Sequence, residues 1–237
     1  VTLNSIEAVV VSLLEDKELM KAENLLLFNV NDLTQGPPND INFNNLDDID
    51  DAYMFKDINT GRRFITAWHQ LCAGDRHMLL PLIIFIDKTH TDAHGKLVLE
   101  PVSMTLGIFN WQTRLSPQAW RSLGTIPNES TYHTANSSLG KVSDWHVMVK
   151  VITGGIRRLS LGSWEYDLKY DDQQHSVVLR MPLLYIIGDT EGHDKMCGHY
   201  NCRTDNVPGL CRYCNTPFHH TDNPNFSFKK QINKIYQ

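Results

Sequence analysis

The stretch that most constrains the fold is Leu79 to Ile86, LLPLIIFI, a continuous apolar run that ends on Asp87. It is far shorter than the ~20 apolar residues a helix needs to cross a bilayer. A run of this length, bounded by polar residues, predicts a strand buried on both faces at the centre of a sheet. His175 to Ile187 (HSVVLRMPLLYII) also reads as a strongly apolar strand and ends on Gly188-Asp189. Lys96 to Asn110 predicts another strand, joined to the first by a hairpin around Ala93-His94-Gly95, and Trp164 to Tyr170 predicts one more.

Helical periodicity appears in three places. Asn4 to Lys21 carries Ile6, Val9, Val10, Leu13 and Leu14 on one stripe, and Asn4 with Glu7 has capping-box spacing. Gly61 to Cys72 places Phe64, Ile65, Trp68 and Leu71 on one face. Ser143 to Ile156 predicts a helix whose apolar face includes Val147, Val151 and Ile152, against its β-branched content. Asn29 to Asn45, with Gln35-Gly36-Pro37-Pro38, predicts a linker or surface loop. Arg114 to Asn128, punctuated by Pro and Gly, predicts irregular structure. The five tryptophans (Trp68, Trp111, Trp120, Trp145 and Trp164) are expected in the core or against turns rather than as base-stacking platforms.

A length of 237 residues, 41% of them hydrophobic, suits one large domain or one domain with an insertion. The first residue is Val, which suggests a piece of a longer protein, and no secretory signal opens the chain. The formal net charge of -5 argues against a self-sufficient nucleic-acid-binding domain, which shows a basic stripe against phosphates. Basic pairs are small and scattered, at Arg62-Arg63, Arg157-Arg158 and Lys229-Lys230. The run Asp47, Asp48, Asp50, Asp51 reads as a solvated loop.

Two strands that each deliver an Asp at their C-terminal end suggest a metal site, because such a carboxylate is reachable by solvent yet held on a rigid element. Side by side, Asp87 and Asp189 would offer the hard oxygen ligands that Mg²⁺ prefers. The competing reading is structural: an Asp after a strand is also a common turn former or helix N-cap, and Gly188-Asp189-Thr190 has that form. His90, Asp92 and His94 alternate in a way that suits a metal site or a polar hairpin tip. With His193 and Asp194 they define a metallohydrolase alternative, which requires those side chains to converge.

Cysteine usage adds a second candidate. Cys72 stands alone, whereas Cys197, Cys202, Cys211 and Cys214 crowd into one stretch, which points to metal rather than a disulfide framework. Cys211-x-x-Cys214 has zinc-knuckle spacing, and a closed site needs four ligands. His193, His199, His219 and His220 also lie near; Cys197, Cys211 and Cys214 with His199 or Cys202 form the favoured set for a structural Zn²⁺. Ordinary reduced cysteines are the alternative.

Three blocks in order carry a family resemblance: LPLIIFIDKTHTDAHGKLVLEPVSMTLGIFN, QTRLSPQAWRSLGTIPN, and YIIGDTEGHDKMCGHY followed by CRYC. From about Phe55 to Pro224 the chain resembles the Plavaka-like transposases, relatives of the CACTA and Kyakuja-Dileera-Zisupton groups of eukaryotic DNA transposons. That resemblance implies an α/β, RNase H-like mixed sheet with flanking helices, truncated before its last part, plus a small Cys-rich, zinc-knuckle-like segment. It implies a DDE/D triad whose first acid, in the FID segment, is Asp87 and whose second, in the GD(T/N)xG(x)H segment, is Asp189. The family's Cys-x-x-Cys element is matched by Cys211 and Cys214.

The third acid of that pattern sits much farther along, on a helix beyond a long insertion. After Glu191 the chain has no Glu, and Asp194, Asp205 and Asp222 lie too near the second strand. The triad is therefore expected to be incomplete, and the fragment alone inactive or severely impaired. The implied organisation is an N-terminal helical region (1–28), a linker (29–54), a partial transposase core (55–195) and a Cys/His-rich segment opening an insertion (196–237). The implied function is Mg²⁺- or Mn²⁺-dependent DNA cleavage and strand transfer in the nucleus, without membrane attachment. The main grip on DNA is expected outside this chain, and the full-length protein is expected to form homo-oligomers. A transposase-derived, non-catalytic zinc-binding or interaction protein is the alternative.

Overall fold

The apolar run at 79–86 lies at the heart of the structure, but as two strands rather than one. The computed structural model describes residues 4–37, 56–90, 98–127, 138–189, 192 and 196. In it, β1 (His77–Leu79) and β2 (Leu82–Ile86) are separated by Leu80-Pro81. The partner run divides in the same way into β7 (Gln173–Arg180) and β8 (Leu183–Ile187) around Met181-Pro182. β1 pairs parallel with β7, and β2 pairs parallel with β8. The register places Pro81 level with Pro182, where neither strand has an N–H to give. Backbone bonds on either side, Leu80 N–H to Arg180 O and Leu82 N–H to Pro182 O (both 2.8 Å), carry the pairing across the gap.

Two mixed sheets with flanking helices result, an α/β arrangement. One has the order β1-β7-β6, with β6 (Trp164–Tyr170) antiparallel to β7. The other has the order β3-β4-β2-β8, with β3 (Thr89–His90) and β4 (Val98–Leu106). β4 runs antiparallel to β2, as the expected hairpin requires, and β5 (Arg121–Pro127) pairs antiparallel with β4.

β5 corrects the expectation of irregular structure at 114–128. Leu123, Gly124 and Ile126 are buried in it, and the breakers sit where a strand tolerates them. Pro117 opens a 3-10 turn (Pro117–Ala119), Pro127 closes the strand, and Gly124 adjoins a register shift against β4 between Val102 and Ser103. Just upstream, the short helix α3 (Trp111–Leu115) is capped by the Asn110 side chain, and Trp111 at its start is 56% exposed, outside the core.

α1 (Ile6–Leu14) buries all five residues of its predicted stripe, but ends well before Lys21. Its cap is Ser5, whose hydroxyl accepts from the Ala8 N–H; Asn4 instead donates to the Ser122 carbonyl at 2.8 Å and so ties the helix to β5. α2 (Arg62–Leu71) follows its predicted span and packs Phe64, Ala67 and Trp68 against Leu79 of β1. A side chain at Gly36 would meet the Trp68 indole at 2.0 Å, so that glycine lets the 26–37 segment lie directly on the ring.

α4 (Ser138–Leu161) is longer than predicted and turns a different face inward. Trp145, Ile152, Ile156 and Leu159 are buried, whereas Val147 and Val151 are 57% and 58% exposed. Trp145 decides this rotation, because the largest apolar side chain gains most from burial. α1 and α4 share one core with Leu82, Ile84 and Ile86 of β2 and Val102, Met104 and Leu106 of β4. Those even-numbered positions form one face of the five-stranded sheet, by strand alternation.

A candidate metal-binding carboxylate pair

The two apolar strands that end in aspartate are direct neighbours. Their last paired residues are Phe85 of β2 and Ile187 of β8, and each aspartate lies two residues farther on. Asp87 and Asp189 therefore leave the sheet at the same level, from strands that in a sheet are about 4.8 Å apart. Alternation assigns both to the face opposite α1 and α4, in line with Phe85 and Ile187. Asp87 is half-buried and Asp189 exposed.

The ladder on the other side of Asp87 explains its placement. Ile86 pairs with Val102 and Thr89 with Leu99, so the register is unchanged across the gap and Asp87 falls level with Pro101. Pro101 has no N–H for the ladder. Strand pairing lapses there, and Asp87 sits at a break within an otherwise continuous frame. Phe85, two residues before Asp87 and on the same face by alternation, packs edge-on to Trp120, with centroids 6.0 Å apart. Trp120 is held in turn by its indole N–H, which donates to the Arg114 carbonyl at 2.7 Å.

Each carboxylate is oriented by one backbone N–H. Asp87 Oδ1 accepts from the Lys88 N–H at 2.8 Å. Asp189 Oδ1 accepts from the Gly192 N–H at 2.6 Å. Among the described residues no other hydrogen bond reaches either group, so each keeps acceptor capacity outward. Hard oxygen donors, held on rigid elements and each fixed by a backbone bond, suit Mg²⁺ or Mn²⁺. The Asp189 bond, from an N–H three residues on, has the form of a helix N-cap bond, the structural role that the sequence also allowed.

The remaining candidates separate clearly. Glu100 lies one position beyond Pro101 in β4 but on the opposite face, buried, and accepts from the Trp145 indole N–H at 2.5 Å. It does not join the pair. Among the described residues no three His, Cys, Asp or Glu side chains converge as a metal site. Cys197, His199, Cys202, Cys211 and Cys214 lie outside the described residues, as do Asp92, His94, His193 and Asp194. Cys72 is partly buried, and burial pushes its thiol up to about 12, which makes it a poor nucleophile at neutral pH. Lys88 is exposed beside the first acid.

Gly192 is the second glycine of the GD(T/N)xG(x)H segment, to which the sequence reading assigns no role of its own. The signal was present: a glycine three residues after an aspartate is at the position whose N–H an N-cap side chain reaches. A groove of about 940 Å³ lies elsewhere, between the end of α1 and the tip of the β6–β7 hairpin, with Leu14, Met20, Tyr166 and Gln173 in its wall. No residue of β2 or β8 lines it. No helix among the described residues is long and apolar enough to cross a membrane. No protein-family model, curated protein or solved structure matches the chain.

Proposed function

We propose that this chain carries the front part of a DNA transposase catalytic core of the Plavaka-like kind, with Asp87 and Asp189 as two of its metal-binding acids. The observation that carries the proposal is the register of β2 and β8, adjacent parallel strands whose last paired residues each stand two positions before an aspartate. The order of elements supports it. An RNase H-like core has an antiparallel three-strand meander, then a helix, then a strand parallel to the first, with acids after the first and fourth strands. β2, β4, β5, α4 and β8 follow that order, and the β6–β7 hairpin is an elaboration between α4 and β8.

The reaction proposed is attack by water or a 3′-hydroxyl on a phosphodiester at transposon ends. Bound Mg²⁺ or Mn²⁺ would activate the attacking oxygen and stabilise the leaving one. Asp87 and Asp189 hold hard oxygen donors on one side of the sheet edge, while the Lys88 and Gly192 N–H groups keep their orientation. Exposure at Asp189 leaves room for a phosphate to approach. With a net charge of -5, the chain leaves most of the grip on DNA to regions outside it, in a nuclear and homo-oligomeric full-length protein. Cys197, Cys211 and Cys214, with His199 or Cys202, are proposed to bind a structural Zn²⁺ after the second acid.

The test is cleavage of labelled transposon-end DNA by the full-length gene product with Mg²⁺ or Mn²⁺. Asp87→Ala and Asp189→Ala are each expected to reduce cutting to background. Cutting by Asp189→Ala at the wild-type rate would sink the proposal. A second reading, a transposase-derived interaction protein without catalysis, draws on the cap bond from Gly192, which alone accounts for an aspartate at 189. It predicts no metal-dependent cutting by the wild-type protein either.

A further inference from the structure

We infer that Gly192 is a positioning residue for the carboxylate pair, required for its lack of a side chain as well as for its N–H. The inference rests on the reading of Asp87 and Asp189 as metal ligands. A Cβ at Gly192 would lie 3.2 Å from Asp189 Oδ1 and 3.6 Å from the carbonyl oxygen of Ile86, the residue before Asp87. One point in space thus adjoins the second acid and the end of the strand that carries the first. Residue 192 therefore packs against the second acid and against the strand end that leads into the first.

The consequence is geometric. The Gly192 N–H holds Asp189 Oδ1 at 2.6 Å, and the approach is this close because no Cβ stands beside that oxygen. At 3.2 Å an added methyl is tighter than ordinary van der Waals contact, so Asp189 must give by a few tenths of an ångström. Such a shift matters to Mg²⁺, which demands near-ideal octahedral geometry with oxygens at about 2.0–2.1 Å. It matters less to Ca²⁺, which accepts flexible geometry at about 2.3–2.6 Å. Gly192 therefore tunes which divalent ion the pair prefers, a property that fold stability alone does not set.

The experiment measures Mn²⁺ binding to the purified chain by electron paramagnetic resonance, with Mg²⁺ and Ca²⁺ as competitors. Wild type is compared with Asp87→Asn, Asp189→Asn and Gly192→Ala, and each melting temperature is recorded. Gly192→Ala is expected to weaken Mn²⁺ binding about tenfold, the scale of losing an orienting partner. It should also lower the Mg²⁺-over-Ca²⁺ preference while melting near wild type. If both aspartate variants bind Mn²⁺ as wild type does, the metal reading itself falls. If they lose it while Gly192→Ala keeps wild-type affinity and preference, the metal reading stands and the role of Gly192 is overturned. Should Gly192→Ala fail to fold, the wild-type Gly192 amide resonance decides. It is expected to shift on Mg²⁺ titration, and an unmoved amide under saturating metal overturns the inference.

Discussion

Asp57 and the pair at Asp87 and Asp189 use the same functional group to opposite ends. Asp57 is half-buried, with its side chain only 8% exposed, and both of its oxygens are engaged. Oδ1 accepts from the Ile58 N–H and pairs with Arg114, each at 2.6 Å, and Oδ2 accepts from the Trp111 N–H at 2.9 Å. Arg114 also donates to the Phe109 carbonyl, so one ion pair ties the segment before α2 to the turn after β4. Asp87 and Asp189 each accept one backbone N–H and hold their remaining acceptors outward. The difference teaches that a carboxylate's role follows from its unused acceptor capacity and its access to solvent, rather than from its place in the sequence.

The sharpest way to break that contrast is Asp57→Ala. Leaving the largely covered Arg114 guanidinium without its carboxylate should cost several kcal/mol in urea denaturation, approaching the cost of a broken buried pair, about 3–5 kcal/mol. A loss below about 1 kcal/mol would place Asp57 among ordinary surface acids. Thr105, on the same sheet face as Asp87 by alternation, has a buried hydroxyl oxygen with no hydrogen-bond partner among the described residues. Thr105→Val should therefore stabilise the chain, by about 1 kcal/mol, because unused capacity without access is only a burden. The same denaturation curve checks it, and a destabilised variant would reveal a partner for the hydroxyl.

Asp189→Ala should cost about 1 kcal/mol, the usual worth of a helix-cap side chain. Asp87→Asn should cost less than about 0.5 kcal/mol, since the amide oxygen still accepts from the Lys88 N–H. If either loss approached that of Asp57, the pair would be structural after all. The smallest effect concerns pH. The Ser5 hydroxyl, with the Glu7 backbone N–H and the Arg158 guanidinium, holds the Glu7 carboxyl below its ordinary value of 4.5, against the opposing pull of burial. A depressed carboxyl contributes stability that is present above 4.5 and is lost as pH falls through its folded value. Urea midpoints of Glu7→Gln should consequently fall less steeply than wild type below that pH.

What was legible beforehand was local. The stripe of α1, the face of α2 and the apolar strands all appear in the structure because burial imposes its period on nearby residues. The misreadings share one cause. In α4 the valines suggested a face, but Trp145 reaches Glu100 across the core and rotates the helix accordingly. At 114–128 proline and glycine read as interruptions, yet the edge of β4 supplies a partner that tolerates them at a bulge and at strand ends. Both outcomes depend on residues distant in the chain.

The aspartates show where local chemistry stops. By itself the sequence determined that two apolar strands each end in an acid, because a strand-sized apolar run bounded by polar residues favours a sheet. It did not determine their depth: β2 is mostly buried, whereas Ile186 and Ile187 of β8 are 38% and 43% exposed. Only the tertiary structure decided that the strands are parallel neighbours, with Pro81 level with Pro182 and the acids at one height. Only it placed Gly192 between Asp189 and the end of β2. Register is a sum over contacts between segments far apart in sequence, and no single residue of either strand encodes it.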